Sequence, residues 1–177
     1  MKVLHICKSD LTGGASRASY RINQSLNENV NLEVSSKMRV IYKKSNQKEI
    51  ISRNNIFHNY IYPKFLTLIN RGYRLLHETN NPIIHSTALL STGLGKELNE
   101  KRYKEIDIFH LHWLGDITLS IEEIGYLNKP IIWTLHDQWP FLGAEHYSLR
   151  NKVYDYNLCD ERFIKGYNSK NRPEGEG

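Results

Sequence analysis

Pro130-Ile-Ile-Trp-Thr-Leu-His-Asp-Gln-Trp-Pro-Phe141 is the stretch on which the fold turns. Its opening residues, Pro130 to Trp133, form a short apolar run whose β-branched pair reads as a buried strand. The run passes into polar side chains, and Trp139-Pro140 marks where a helix or strand cannot easily continue. In open parallel sheets the ligand crevice lies at the carboxyl ends of the strands, which is where His136 and Asp137 fall. A His-Asp pair beside two tryptophans also suits a hydrogen-bonded loop anchor, and from this stretch alone both readings stand.

Upstream, Ile106-Asp-Ile-Phe-His-Leu-His-Trp113 alternates as a strand does, with Ile106, Ile108, His110 and His112 on one face and Phe109, Leu111 and Trp113 on the other. His110 and His112 sit at a spacing that a metal could use. No third ligand stands at a persuasive spacing, so the expected metal set is none. Ser120-Ile-Glu-Glu123 between these strands matches a capping box and predicts a short helix to Leu127.

At the amino end, Val3-Leu4-His5-Ile6 reads as a strand, Lys8 to Gly14 as a polar loop, and Ala15, Ala18, Ile22 and Leu26 recur at helical spacing. Strand, Gly-Gly loop and helix is an arrangement that cradles phosphate on exposed helix amides. Gly13 and Gly14 equally suit a tight turn, and neither the dinucleotide fingerprint nor a P-loop is present. Thr92-Gly-Leu-Gly-Lys96 lacks the first Walker glycine and the following Ser or Thr, and reads as a turn before a short helix. Strand and helix alternating from residue 2 to 135 predict an α/β fold with a parallel sheet.

At 177 residues, 40% hydrophobic and 24% charged, the chain has the size and composition of one well-buried domain. Two distant cysteines, Cys7 and Cys159, outside any Cys-x-x-Cys pattern indicate neither a zinc framework nor disulfides and suit a reducing compartment. The N-terminus has no signal-peptide core, and no apolar stretch approaches the roughly 20 residues that span a bilayer. The net charge of +5 points to an anionic partner. From Lys37 to Arg74, nine basic residues face only Glu49. Within that segment Phe65, Ile69, Tyr73 and Leu76 share a helical face, with Lys64, Arg71 and Arg74 on the other. The helix suits packing on a sheet or lying on an anionic membrane. Nucleic acid is not the expected partner, because no helix-turn-helix, zinc-finger or RNP pattern accompanies the charge.

Four blocks, Gly13-Gly-Ala-Ser-Arg-Ala-Ser-Tyr20, Asp107 to Trp113, Lys129 to Phe141 and Gly143-Ala-Glu-His-Tyr-Ser148, together resemble the N-terminal half of family 4 glycosyltransferases that build bacterial surface polysaccharides such as O-antigen. The resemblance covers about residues 1 to 150. It implies a Rossmann-like parallel sheet with helices on both faces, a single half of the two-domain GT-B architecture. It also implies retaining transfer of a sugar from a nucleotide-sugar donor to a lipid-linked saccharide acceptor, with no cofactor and no metal. Carried over, Gly13 and Gly14 would lie by the donor diphosphate, and His136, with Asp137, would be catalytic beside the transferred sugar. Arg17, His112, Trp113 and Trp139 would bind the acceptor, and Lys64, Arg71 and Arg74 would face the membrane. The protein would be cytoplasmic, peripheral on the inner face of the cytoplasmic membrane.

The chain departs from the family at Glu145 and at Gly166-Tyr167, where cysteines are usual, while Cys159-Asp-Glu-Arg-Phe163 retains one piece. Residues 1–166 are expected as the N-terminal domain and 167–177 as a disordered tail. The nucleotide-binding C-terminal domain is expected to be absent, as in a truncated enzyme. The alternative is a non-catalytic module binding a glycan, a nucleotide or a membrane partner.

Overall fold

The computed structural model describes residues 1–53, 55, 57–77, 86, 88–115, 117–142 and 146. Asn81-Pro82, Cys159 and the proposed tail lie outside the described residues, as does the domain boundary at 166.

Five strands, β1 (Lys2–Ser9), β2 (Ser35–Tyr42), β3 (Ile50–Ile51), β4 (Ile108–Leu111) and β5 (Ile131–Trp133), form one sheet in the order β3-β2-β1-β4-β5. Every pairing is parallel, so the fold is Rossmann-like α/β. After β3 the chain crosses to the far side of β1, which puts the switch in strand order between β1 and β4. The crevice for a ligand opens at the carboxyl ends of those two strands.

Central β1 is buried on both faces, as a parallel strand paired on both sides requires. Its Leu4 and Ile6 join Phe109, Leu111, Leu94 and Leu98 in the larger core. On the opposite face Cys7 joins Met38, Val40 and Ile50. Helix α1 (Gly14–Glu28) covers this second face. It presents Ser16, Ser19 and Asn23 to the sheet, and the expected stripe of Ala15, Ala18, Ile22 and Leu26 lies half-buried at its flanks. Hydrogen bonding decides this rotation. Asn27 takes both backbone groups of Ser36 (2.8 and 2.9 Å), and Asn23 Oδ1 accepts from Ser36 Oγ (2.8 Å). Small paired polar residues let the helix approach closely without leaving buried groups unsatisfied.

Helix α2 (Tyr62–His77) follows a π-helical turn at Phe57–Ile61. Its inward residues are Pro63, Leu66 and Asn70, and Tyr62 Oη donates to Ser91 O at 2.9 Å. Phe65 and Ile69, expected on a packed or membrane face, are exposed. The side chains of Tyr73, Arg74 and Leu76 lie outside the described residues.

Helices α3 (Leu94–Leu98) and α4 (Ile121–Gly125) close the larger core. The capping box is present: Ser120 Oγ accepts from Glu123 N, and Glu123 Oε2 accepts from Ser120 N. Glu123 also accepts from Thr92 N and Gly95 N, tying α4 to the turn before α3. Gly95 allows this approach, since a Cβ there would sit 2.7 Å from Glu123 Cβ and 3.2 Å from its Cα. Gly95→Ala is therefore expected to lower stability by about 1–3 kcal/mol in urea melts. Gly72→Ala, with open space around the added methyl inside α2, should raise it by up to about 1 kcal/mol. Equal effects at the two positions would refute the packing role of Gly95.

Two departures concern the sheet edges. Strand β3 has two residues, too few for any sequence period, and is held by Met38 N donating to Glu49 O. Strand β5, expected buried, pairs only with β4, and Ile132 is 50% exposed. Tryptophan 139 and Pro140 do not end regular structure but open helix α5 (Trp139–Leu142), where a proline in the first turn forfeits no helical hydrogen bond.

Candidate functional site

The loops leaving β1, β4 and β5 meet at the carboxyl edge of the sheet. Backbone bonds register them: His112 N donates to Ile6 O, Thr134 N to Leu111 O, and Lys8 N to Trp113 O. Lys8 Nζ lies 5.1 Å from the Trp113 ring centre, a cation–π contact that joins the β1 and β4 loops. Gly115, at φ +60°, lets the chain fold under that ring, because a Cβ there would lie 2.8 Å from it.

Asp137 is the hub of the β5 loop. Its Oδ2 accepts from Trp113 Nε1 (2.9 Å) and meets His146 Nδ1 (2.5 Å), while Oδ1 accepts from Trp139 N (3.1 Å). Burial pushes its pKa up, but the His146 hydrogen bond and charge, with Trp139 N and Trp113, outweigh that and hold it below the usual carboxylate range. His146 Nε2 continues to Ser86 Oγ at 2.8 Å, and Trp139 Nε1 donates to Ser86 O at 2.7 Å. Ser86, His146 and Asp137 reproduce the order of a nucleophile, its base and the orienting carboxylate. Ser86 and His146 are buried, and the chain of bonds ties the β5 loop to Ser86.

His136 is half-buried, and its Nε2 lies 3.1 Å from Nδ1 of His112. Burial lowers its pKa against the opposing charge of Asp137, so the ring is neutral at pH 7 and can both donate and accept. His112 is 1% exposed, and its Nε2 lies 3.0 Å from Nδ1 of the fully buried His5. His110 lies tilted against both rings, with Nε2 2.7 Å from Thr134 Oγ1.

Of the residues singled out in the sequence, His112 and His136 are joined in one hydrogen-bonded group and Trp113, Asp137 and Trp139 in a second, with chain neighbours linking the two. Trp113, His136 and Asp137 are half-buried, and His112 and Trp139 lie beneath. Gly13 and Gly14 begin α1 at the same edge, exposed and with nothing within 4 Å of an added Cβ. Gly13 holds φ +91°, which strains any residue with a side chain. Arg17 is exposed on the first turn of α1, with Nε 3.4 Å from Leu11 O. Lys64 and Arg71 are exposed on α2, a separate element.

Sequence reasoning gave no role to His5 or His146. The parallel register sets His5 opposite His110, so a histidine inside an apolar central strand was a usable signal. His146 is nine residues beyond Asp137, and no local sequence pattern pairs the two. No family model, curated protein or solved structure matches the chain.

Proposed function

We propose that the chain is the acceptor-side half of a GT-B glycosyltransferase, moving a sugar from a nucleotide-sugar to a lipid-linked saccharide during assembly of a cell-surface polysaccharide. The observation that carries the reading is the convergence of the Gly13-Gly14 helix start, Trp113 and His136 on one carboxyl edge at the switch in strand order. Retaining transfer requires stabilisation of the leaving diphosphate while positive character grows at the anomeric carbon. Open amides behind Gly13 suit the diphosphate. A neutral His136 suits a sugar hydroxyl or the developing charge, and Asp137 holds the loop that presents it. Trp113, half-buried with Lys8 over its ring, offers mixed aromatic and cationic surface to the acceptor. The base and the rest of the diphosphate would be held by a second domain of the GT-B type.

A lipid-linked acceptor needs a surface that meets the bilayer, and α2 has the character for it. Phe57, Ile61, Phe65, Leu68 and Leu75 follow one helical stripe and are all exposed, Leu68 at 68% and Leu75 at 75%. Lys64 and Arg71 flank them, which suits a helix lying in an anionic interface. No helix among the described residues is long and apolar enough to cross a membrane, so the contact is peripheral.

The second reading, a non-catalytic module, is favoured by the full occupation of Asp137, whose oxygens already serve three partners. One experiment separates the two. The purified chain is mixed with labelled UDP-, GDP- and dTDP-sugars and anionic vesicles carrying a polyprenyl-diphosphate saccharide. Label entering the lipid fraction supports transfer, and saturable binding without transfer supports the module. Vesicle binding that ignores added salt would remove the electrostatic role of α2.

A further inference from the structure

The proposed transfer makes no use of His5 and His110, and neither is explained by packing alone. His5, His110 and His112 each bring a ring nitrogen to within 4.8 Å of the others. Nε2 of fully buried His5 has no hydrogen-bond partner among the described residues. A buried ring nitrogen without a partner is rare, and an ion or water is its usual explanation. We infer that His5, His110 and His112 bind one first-row transition-metal ion of the zinc class, at the switch between β1 and β4.

Donor chemistry selects the ion. Three imidazoles without a carboxylate suit Zn²⁺ and its neighbours and offer nothing to Ca²⁺ or Mg²⁺. Both His5 and His112 are buried, which disfavours the protonated ring and leaves each a lone pair to offer. Outer partners are already in place. Thr134 Oγ1 holds His110 Nε2, leaving Nδ1 for the ion, and His136 Nε2 holds His112 Nδ1, leaving the Nε2 that now meets His5. His5 supplies its unpartnered Nε2 once its ring turns from the Nδ1 contact with His112. Nitrogens on a tetrahedral zinc are about 3.3 Å apart, so loading the site requires the rings to rotate and draw together. His110, half-buried on β4, marks with His136 the way in from solvent. Three protein ligands leave a fourth position for water or a substrate oxygen.

Chelator-treated protein is dialysed against Zn²⁺, and separately against Co²⁺ to read the visible bands of a tetrahedral site. One equivalent per chain is expected for the wild type and for His58→Ala, a histidine on the π-helical turn. His110→Ala and His110→Gln should bind at least about 100-fold more weakly. On the wild type alone, Zn²⁺ should shift the imidazole ¹⁵N resonances of His5, His110 and His112. No saturable uptake by the folded wild type, uptake retained by both His110 variants, or unmoved ring resonances would each overturn the site. None of these readouts involves sugar transfer, so the inference stands or falls apart from the proposed function.

Discussion

Glu97→Gln is expected to lower the stability of the chain by about 3–5 kcal/mol, because it leaves a buried guanidinium without its counter-ion. Glu97 is 4% exposed and receives Arg39 through two bonds, Nε to Oε1 at 2.7 Å and Nη2 to Oε2 at 3.0 Å. Arg53 Nε meets Oε2 at 2.6 Å, Arg102 Nη2 meets Oε1 at 2.8 Å, and Tyr103 Oη donates to Oε1. Arg39 lies within β2 at 1% exposure, so its charge is shielded from solvent once the carboxylate is gone. Glu100→Gln is the control. Its partner is Arg102 at 3.2 Å, both are more than half exposed, and such pairs contribute at most about 1 kcal/mol. Equal, small losses for the two variants in urea melts would show that Glu97 is replaceable.

The same carboxylate gives the chain an acid limit with a defined sign. Burial pushes the Glu97 pKa up, but hydrogen bonds and charge from Arg39 and Arg53 outweigh this and hold it at about 2 in the folded protein, against 4.5 ordinarily. A depressed carboxylate contributes its full stabilisation above the unfolded pKa and loses it as pH falls through the folded one. The Glu97 contribution therefore disappears between pH 4.5 and about 2, by about 3 kcal/mol. In Glu97→Gln this part of the acid transition should be missing.

The basic segment shows how far composition reaches. Nine positive residues between positions 37 and 74 suggested an anionic partner. Arg39 and Arg53 are instead consumed by Glu97, which lies 58 and 44 residues further along. A window of sequence counts charges that a distant helix neutralises. Local signals fared better: the Ser120–Glu123 box and the strand alternation at Phe109 and Leu111 are complete within a few residues, and both appear in the fold. Strand β3 and the polar inner stripe of α1 were not legible. Two residues carry no period, and the rotation of α1 is decided by Ser36 on another strand. At the site, adjacency of His136 and Asp137 was readable, but the partners that divide their roles come from the residues just after β4 and from beyond α5.

That division of roles makes opposite variants informative. Asp137→Ala should cost about 2–4 kcal/mol, since it strands Trp113 Nε1, His146 Nδ1 and Trp139 N at once in a largely dry network. Indole fluorescence should report it directly, because one of the three donors is the Trp113 indole. Asp137→Asn retains one acceptor oxygen and should lose about half as much. His136→Ala removes only the contact to His112 Nδ1 from a half-buried ring, so its stability loss should stay near 1 kcal/mol. If the proposed transfer is catalysed at this edge, the same His136→Ala change should abolish it at unchanged fold, whereas Asp137→Ala should lose stability and transfer together. A His136→Ala protein that melts as early as Asp137→Ala would make the histidine a second strut and remove it from the proposed sugar site.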